Sequence, residues 1–335
     1  MGETRERRRY RIHGVLLESD FPFTHHLAEG DGPAELTFTL REGQVRGWEG
    51  AESAWSSALL GAGGVPDCEL FRRHGEELLR FDGIADFHLA GDRIDGWLPD
   101  PDRAWLAELR FLGPVLAYWL ERRGHVALHA ASVALPGPGG RRRAIGLLSG
   151  HGGGKSLLAA ELMQRPGAAL LADDLTVVEP AREPAGEPVE GDRFLARPAN
   201  PQMRLAPADA ERLTGRGDLP RVHPDYVKRR VPVGGADGFG RFEERPAPLS
   251  ALYLPHRRSG GEIEIERLAP AAALLALIRH SFIARLAAGA GLQPARLVTL
   301  GAIAEAVPTY RLAYPTGRRH LEAVAARLVG PHPLA

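Results

Sequence analysis

The segment from Ala144 to Met163, AIGLLSGHGGGKSLLAAELM, limits this chain more than any other. An apolar run ends at Ser149-Gly150, then Gly152-Gly153-Gly154 leads into Lys155-Ser156 and a stretch of Leu and Ala. Strand, glycine turn and helix N-terminus is the order that a phosphate-binding loop requires. Glycine lets the backbone turn several N–H groups inward at an anion, and the helix adds its positive end. The expected nucleotide contacts therefore run over Gly150, His151, Gly152, Gly153, Gly154, Lys155, Ser156 and Leu157. Lys155 would reach the β- and γ-phosphates of ATP, and the Ser156 hydroxyl would ligate Mg²⁺. The common spacing Gly-x4-Gly-Lys-Ser puts glycine at position 149, where this chain has Ser149. Serine fits there with a negative φ or under mild strain.

A second apolar run, Leu170-Leu171-Ala172, ends in Asp173-Asp174, and Asp173 follows Ser156 by 17 positions. Two carboxylates beside a nucleotide allow one to sit on the metal side and one to take a proton from an attacking hydroxyl. Neighbours on a strand face opposite ways, so both serve one site only if the strand stops there. His129 lies in an apolar run, where histidine is usually a core side chain. Further cations are expected around a transferring phosphoryl group, and Arg204 and Lys228 are the candidates. Arg141, Arg142 and Arg143 read instead as the exposed tip of a hairpin between His125–Leu135 and Ala144–Leu148. His25-His26 lacks a third nearby ligand and does not suggest a metal site.

His129-Ala-Ala-Ser-Val133, the hairpin, Ser149-Gly-His-Gly-Gly-Gly-Lys-Ser156 and Leu171-Ala-Asp-Asp174 occur in the order and near-spacing of one family. Over residues 125–178 the chain resembles HPr kinase/phosphorylase, and in particular the diverged HPr kinase-related proteins. The resemblance implies an α/β P-loop kinase core akin to phosphoenolpyruvate carboxykinase, and Mg-ATP-dependent phosphorylation of a serine hydroxyl. By matching position it implies His129 as the active-site histidine, Lys155 and Ser156 as nucleotide residues, and Asp173 and Asp174 as the catalytic acids. Asp173 is the favoured base, with Asp174 and Ser156 on the metal; the reverse order of the two acids fits the same residues. The Gly-rich signature that follows the acid pair in HPr-acting enzymes is missing, and Arg197-Pro-Ala-Asn-Pro201 stands there. The expected acceptor is thus a peptide, a protein or a small hydroxylated molecule other than HPr. An ATPase or phosphatase using water, and an ATP-sensing regulatory module without transfer, fit the same residues.

The remainder of the 335 residues frames this motif. Residues 1–102 read as a small β-rich α+β accessory domain, and residues 103–335 as the kinase-like α/β domain. A helix is expected over Arg103–Arg123, where leucines recur at helical spacing before Gly124. Glu179–Gly191 reads as a polar, Pro-rich mobile loop. Later strands are expected at Leu249–Leu254, Glu262–Glu266 and Thr309–Tyr314, and helices at Ala269–Leu286, Ala295–Ala306 and Arg319–Leu328. Lys+Arg and Asp+Glu number 42 each, which argues against a general nucleic-acid or acidic-membrane binder. The single cysteine, Cys68, excludes an internal disulfide framework and a multi-cysteine metal site. With no secretory leader and no long apolar span, the expectation is a cytoplasmic protein, in keeping with a family that tends to form homo-oligomers.

Overall fold

The computed structural model describes residues 6–61, 63–150, 152–181 and 193–330. It is a mixed α/β protein dominated by two nine-stranded sheets, both with parallel and antiparallel pairs. The chain divides into two compact units, one of Met1–Gly124 with Ile283–Arg296 and the other of His125–Phe282 with Leu297–Ala335. From residue 182 on, the expected mobile loop lies outside the described residues.

The first unit is built on an antiparallel hairpin, Arg8–Ile12 with Val15–Ser19. Its turn is His13-Gly14, with φ of 49° and 70°, the left-handed pair that tight hairpins favour. The run Tyr10–Leu17, which reads from sequence as one short strand, is therefore divided between two strands. Leu36–Glu42 joins the hairpin in parallel and continues into Arg93–Leu98 and the meander Cys68–Arg73, Glu76–Phe81 and Ala85–Ala90. Alternate residues of Ala85–Ala90 are buried, the period-two pattern of a sheet with one covered face. The helical stretch expected from 103 comprises Ala104–Arg110 and Leu116–Glu121, joined by a π-type turn over Phe111–Val115 that contains Pro114. Proline removes an amide donor from the ladder, which widens the turn. Phe111 stacks on Phe38 with ring centroids 3.6 Å apart.

In the second unit Ala130–Pro136 and Arg142–Leu148 form the expected hairpin. Arg142 lies within the second strand and bonds Glu243 at 2.7 Å, so the arginine trio is only partly an exposed tip. Arg142–Leu148 runs parallel to Ala247–Arg258, which runs parallel to Thr309–Pro315. Ala169–Ala172 is antiparallel to Ala130–Pro136 and therefore parallel to Arg142–Leu148. Between them the chain forms the helix Lys155–Met163. That helix buries Leu158 and Leu162 in a core shared with Ile145, Leu147 and Leu170. All four parallel strands thus present their carboxyl ends on one side, the side where open α/β sheets bind ligands. Ala130–Pro136 starts there, because Ala130 pairs with Leu148.

The helix expected over Ala269–Leu286 is two, Pro270–Arg279 and Ala284–Gly289, separated by a segment in which Ser281 bridges to Leu128. A further helix, Pro207–Thr214, starts at a proline in its first turn and ends at Gly215 in the left-handed region.

Candidate phosphate-binding and acid-pair site

Arg142–Leu148 ends where the glycine loop begins. Gly152 and Gly154 have φ of 75° and 87°, and Gly153 between them does not share the left-handed region. Such alternation turns successive N–H groups toward one concavity, a backbone nest for anions. Gly154 is the N-cap of helix Lys155–Met163, so the helix's unpaired amides open beside the nest. Ser149 is not among the positive-φ residues, so serine is accommodated there by ordinary backbone. It also explains the glycine at 153, because a Cβ there would lie 2.5 Å from the Ser149 hydroxyl oxygen. His151 lies outside the described residues. The Leu157 side chain packs against the apolar core, leaving only its backbone to face the loop.

The acids follow from the end of Ala169–Ala172. Asp174 adopts φ 75°, and the other described non-glycine residues with positive φ are His13 and His74. Aspartate tolerates this region better than most residues. The resulting turn brings both carboxylates into one cluster instead of onto opposite faces. Asp173 is buried and accepts a 2.7 Å hydrogen bond from the Ser156 hydroxyl and a 2.8 Å bond from the Arg204 amide. Asp174 accepts from an Arg204 guanidinium nitrogen at 3.0 Å, and lies 3.0 Å from His129 Nε2 and 3.4 Å from Lys155 Nζ. Lys155 Nζ is also 2.8 Å from His129 Nε2.

These contacts compete for protons. Lysine ammonium donates only, so its bond to Nε2 needs that nitrogen bare, whereas a bond from Nε2 to Asp174 needs it protonated. His129, Lys155 and Asp174 therefore form a triangle in which Nε2 can bond only one of its two partners at a time. Burial pushes Asp174 up, but the His129 hydrogen bond and the charges of Arg204 and Lys155 outweigh it and hold the carboxyl well below the usual range. Asp173 goes the other way: burial, reinforced by the Asp174 charge, pushes it up.

Lys228 is not in this cluster; its ammonium lies 5.9 Å from the Tyr226 ring centroid. Tyr226 stacks on His223, which burial and the charge of Arg204 hold below the usual histidine value, against the opposing pull of Asp225. Three residues absent from the sequence reading border the site. The Arg257 guanidinium donates to the Gly152 carbonyl at 2.7 Å. A Cβ on Gly154 would lie 3.8 Å from the Tyr314 hydroxyl. His280 accepts the His129 amide through its carbonyl at 2.7 Å, and burial and the charges of His129, Arg279 and Lys155 hold its ring below the usual value. None has a local motif, since each arrives through strand pairing or a bridge.

Among the described residues no group of three or more His, Cys, Asp or Glu side chains could hold a metal ion. One hydroxyl and one carboxylate, Ser156 and Asp173, stand side by side. This donor set suits Mg²⁺, which takes few protein ligands and completes its shell with phosphate oxygens and water. Among the described residues no helix is long and apolar enough to cross a membrane. Comparison of the chain with protein-family models and with curated proteins finds no match.

Proposed function

We propose that the second unit is an ATP- and Mg-dependent phosphotransferase of the HPr kinase type, moving the γ-phosphoryl group to a hydroxyl of a peptide, protein or small molecule. The observation that carries this reading is the meeting of the Gly152–Ser156 nest and helix start with the Asp173-Asp174 pair at the carboxyl ends of parallel strands. A bare glycine turn would not need a buried lysine, a buried serine and two acids around it.

The nest amides and Lys155 would bind the phosphate tail, while Ser156 and Asp173 would hold Mg²⁺. Mg²⁺ held by these two residues would supply positive charge against the phosphate tail. A burial-strained carboxylate such as Asp173 gains most from a cation, which supports it as the metal-side acid. Asp174, kept ionised by its neighbours, forms with His129 the proton acceptor. This exchanges the roles favoured from sequence. In the transfer, the acceptor oxygen bonds to the γ-phosphorus as the bond to the ADP oxygen breaks, and the hydroxyl proton passes to the His129–Asp174 pair. Arg204, bonded to both acids, fixes their spacing and adds positive charge on the acceptor side.

The test is phosphate transfer from γ-labelled ATP to candidate hydroxyl acceptors, read by mass spectrometry. Lys155→Ala is expected to weaken nucleotide binding. Asp174→Asn should keep binding and lower transfer by about 10²–10⁴-fold, the usual contribution of a positioned base. Unchanged transfer in Asp174→Asn would remove its role, and ATP consumption independent of any acceptor would favour a hydrolase.

A further inference from the structure

Pairing between Arg142–Leu148 and Ala247–Arg258 ends at Leu147 and Tyr253. The longer strand continues from Leu254 to Arg258, paired now with Thr309–Pro315 alone, and so runs on beside the glycine loop. Arg257 and Tyr314 are register partners on this extension. Both border Gly154, whose Cβ would lie 3.7 Å from the Arg257 guanidinium carbon and 3.8 Å from the Tyr314 hydroxyl. Side chains alternate along a strand, and the next residue, Arg258, turns to Glu264 at 2.7 Å instead.

We infer that Arg257 is a positioning residue of the phosphate site, holding the glycine loop in its anion-accepting shape through the Gly152 carbonyl. The peptide between Gly152 and Gly153 is flanked by two residues without a Cβ, so it can flip at little steric cost. A flip would break the 3.2 Å bond from the Gly153 amide to the Gly150 carbonyl that closes the turn, and would carry the Gly152 carbonyl oxygen away from Arg257 toward the loop interior. A charge-assisted bond from Arg257 pins that carbonyl toward the strand end and opposes the flip. The consequence for nucleotide rests on the phosphotransferase reading above, whereas the hold on the loop does not. Arg257 meets loop backbone and not the acid pair, so its loss should act on binding rather than on the chemical step.

The full-length chain as Arg257→Gln, Arg257→Lys and Arg258→Gln separates these effects. Amide hydrogen exchange over residues 150–158, without nucleotide, reads the loop. Arg257→Gln is expected to speed it about tenfold, as loss of a charged hydrogen bond would, with Arg258→Gln like the parent and Arg257→Lys intermediate. With the Mg²⁺ complex of adenylyl imidodiphosphate as probe, the dissociation constant should rise about tenfold in Arg257→Gln. In turnover KM should rise while kcat holds, and the thermal midpoint should stay that of the parent. Parent-like loop exchange in Arg257→Gln, or the same acceleration in Arg258→Gln, would overturn the inference. A parent chain that binds no nucleotide would sink the phosphotransferase reading, and the exchange result would still decide whether Arg257 holds the loop.

Discussion

At Asp174 the backbone departs from the strand into the left-handed region, at φ 75°. A few kcal/mol of local strain is the usual magnitude for such a residue, and it persists where the surroundings over-determine it. Here Arg204, His129 and Lys155 do so. Its neighbour Asp173 is held without a cation at bonding distance, by a hydroxyl and an amide. Since burial and the Asp174 charge disfavour its ionised form, Asp173→Asn removes a cost from the fold, keeps an oxygen for the Arg204 amide, and presents an NH₂ to the Ser156 hydroxyl, which can turn to accept. The thermal midpoint of Asp173→Asn at neutral pH is expected to equal or exceed that of the parent, while Mg-dependent nucleotide binding falls. A midpoint several degrees lower would show that this carboxylate is not strained. His129, Lys155, Ser156 and the acids were legible in the sequence because one strand–loop–helix–strand stretch carries them. Arg257, Tyr314 and His280 were not, because only parallel registration and an isolated bridge bring residues more than a hundred positions away to the loop.

Elements were legible where a local pattern exists and obscure where pairing decides. The hairpin around residues 136–142 and the helix after Lys155 are announced by turn glycines and by leucine and alanine spacing. Cys68–Arg73 and Arg93–Leu98 have no clean alternation and become strands through their neighbours. The division of the short strand expected over Tyr10–Leu17 at His13-Gly14 needs a non-glycine residue at positive φ, which composition does not reveal. The loop itself yields a test at this scale. A methyl on Gly153 would meet the Ser149 hydroxyl oxygen at 2.5 Å and its Cβ at 2.6 Å, closer than such atoms approach. Gly153→Ala should therefore deform the loop and weaken ATP binding about tenfold or more, the range of an overpacked site. Ser149→Gly, which removes both opposing atoms, should cost little alone and restore much of the binding when combined with Gly153→Ala. Additive losses in a double-mutant cycle would mean that Ser149 is not what restricts position 153.

For the molecule as a whole, the five tryptophans provide separate access to one unit: Trp48, Trp55, Trp97, Trp105 and Trp119 all precede Gly124. Their emission reports the first unit alone. Within that unit Glu108 is buried and accepts hydrogen bonds from the Thr24 and His25 amides at 2.8 Å each, from the Thr24 hydroxyl at 2.7 Å and from His25 Nδ1 at 2.8 Å. Burial pushes this carboxyl up, but the bonds from His25 and Thr24 outweigh it and leave it below the usual glutamate value. A depressed folded value means that the unfolded chain takes up the proton first as pH falls. The stabilisation is thus complete above the unfolded glutamate range, about pH 4–5, and is lost as pH drops through the folded value. Tryptophan emission should show an acid transition below about pH 4. Glu108→Gln should be less stable at neutral pH by about 2–3 kcal/mol, the worth of a charged hydrogen bond, and its stability should depend less steeply on acid. If Glu108→Gln and the parent lose tryptophan signal along the same pH curve with the same neutral stability, the four-bond carboxylate does not secure this unit.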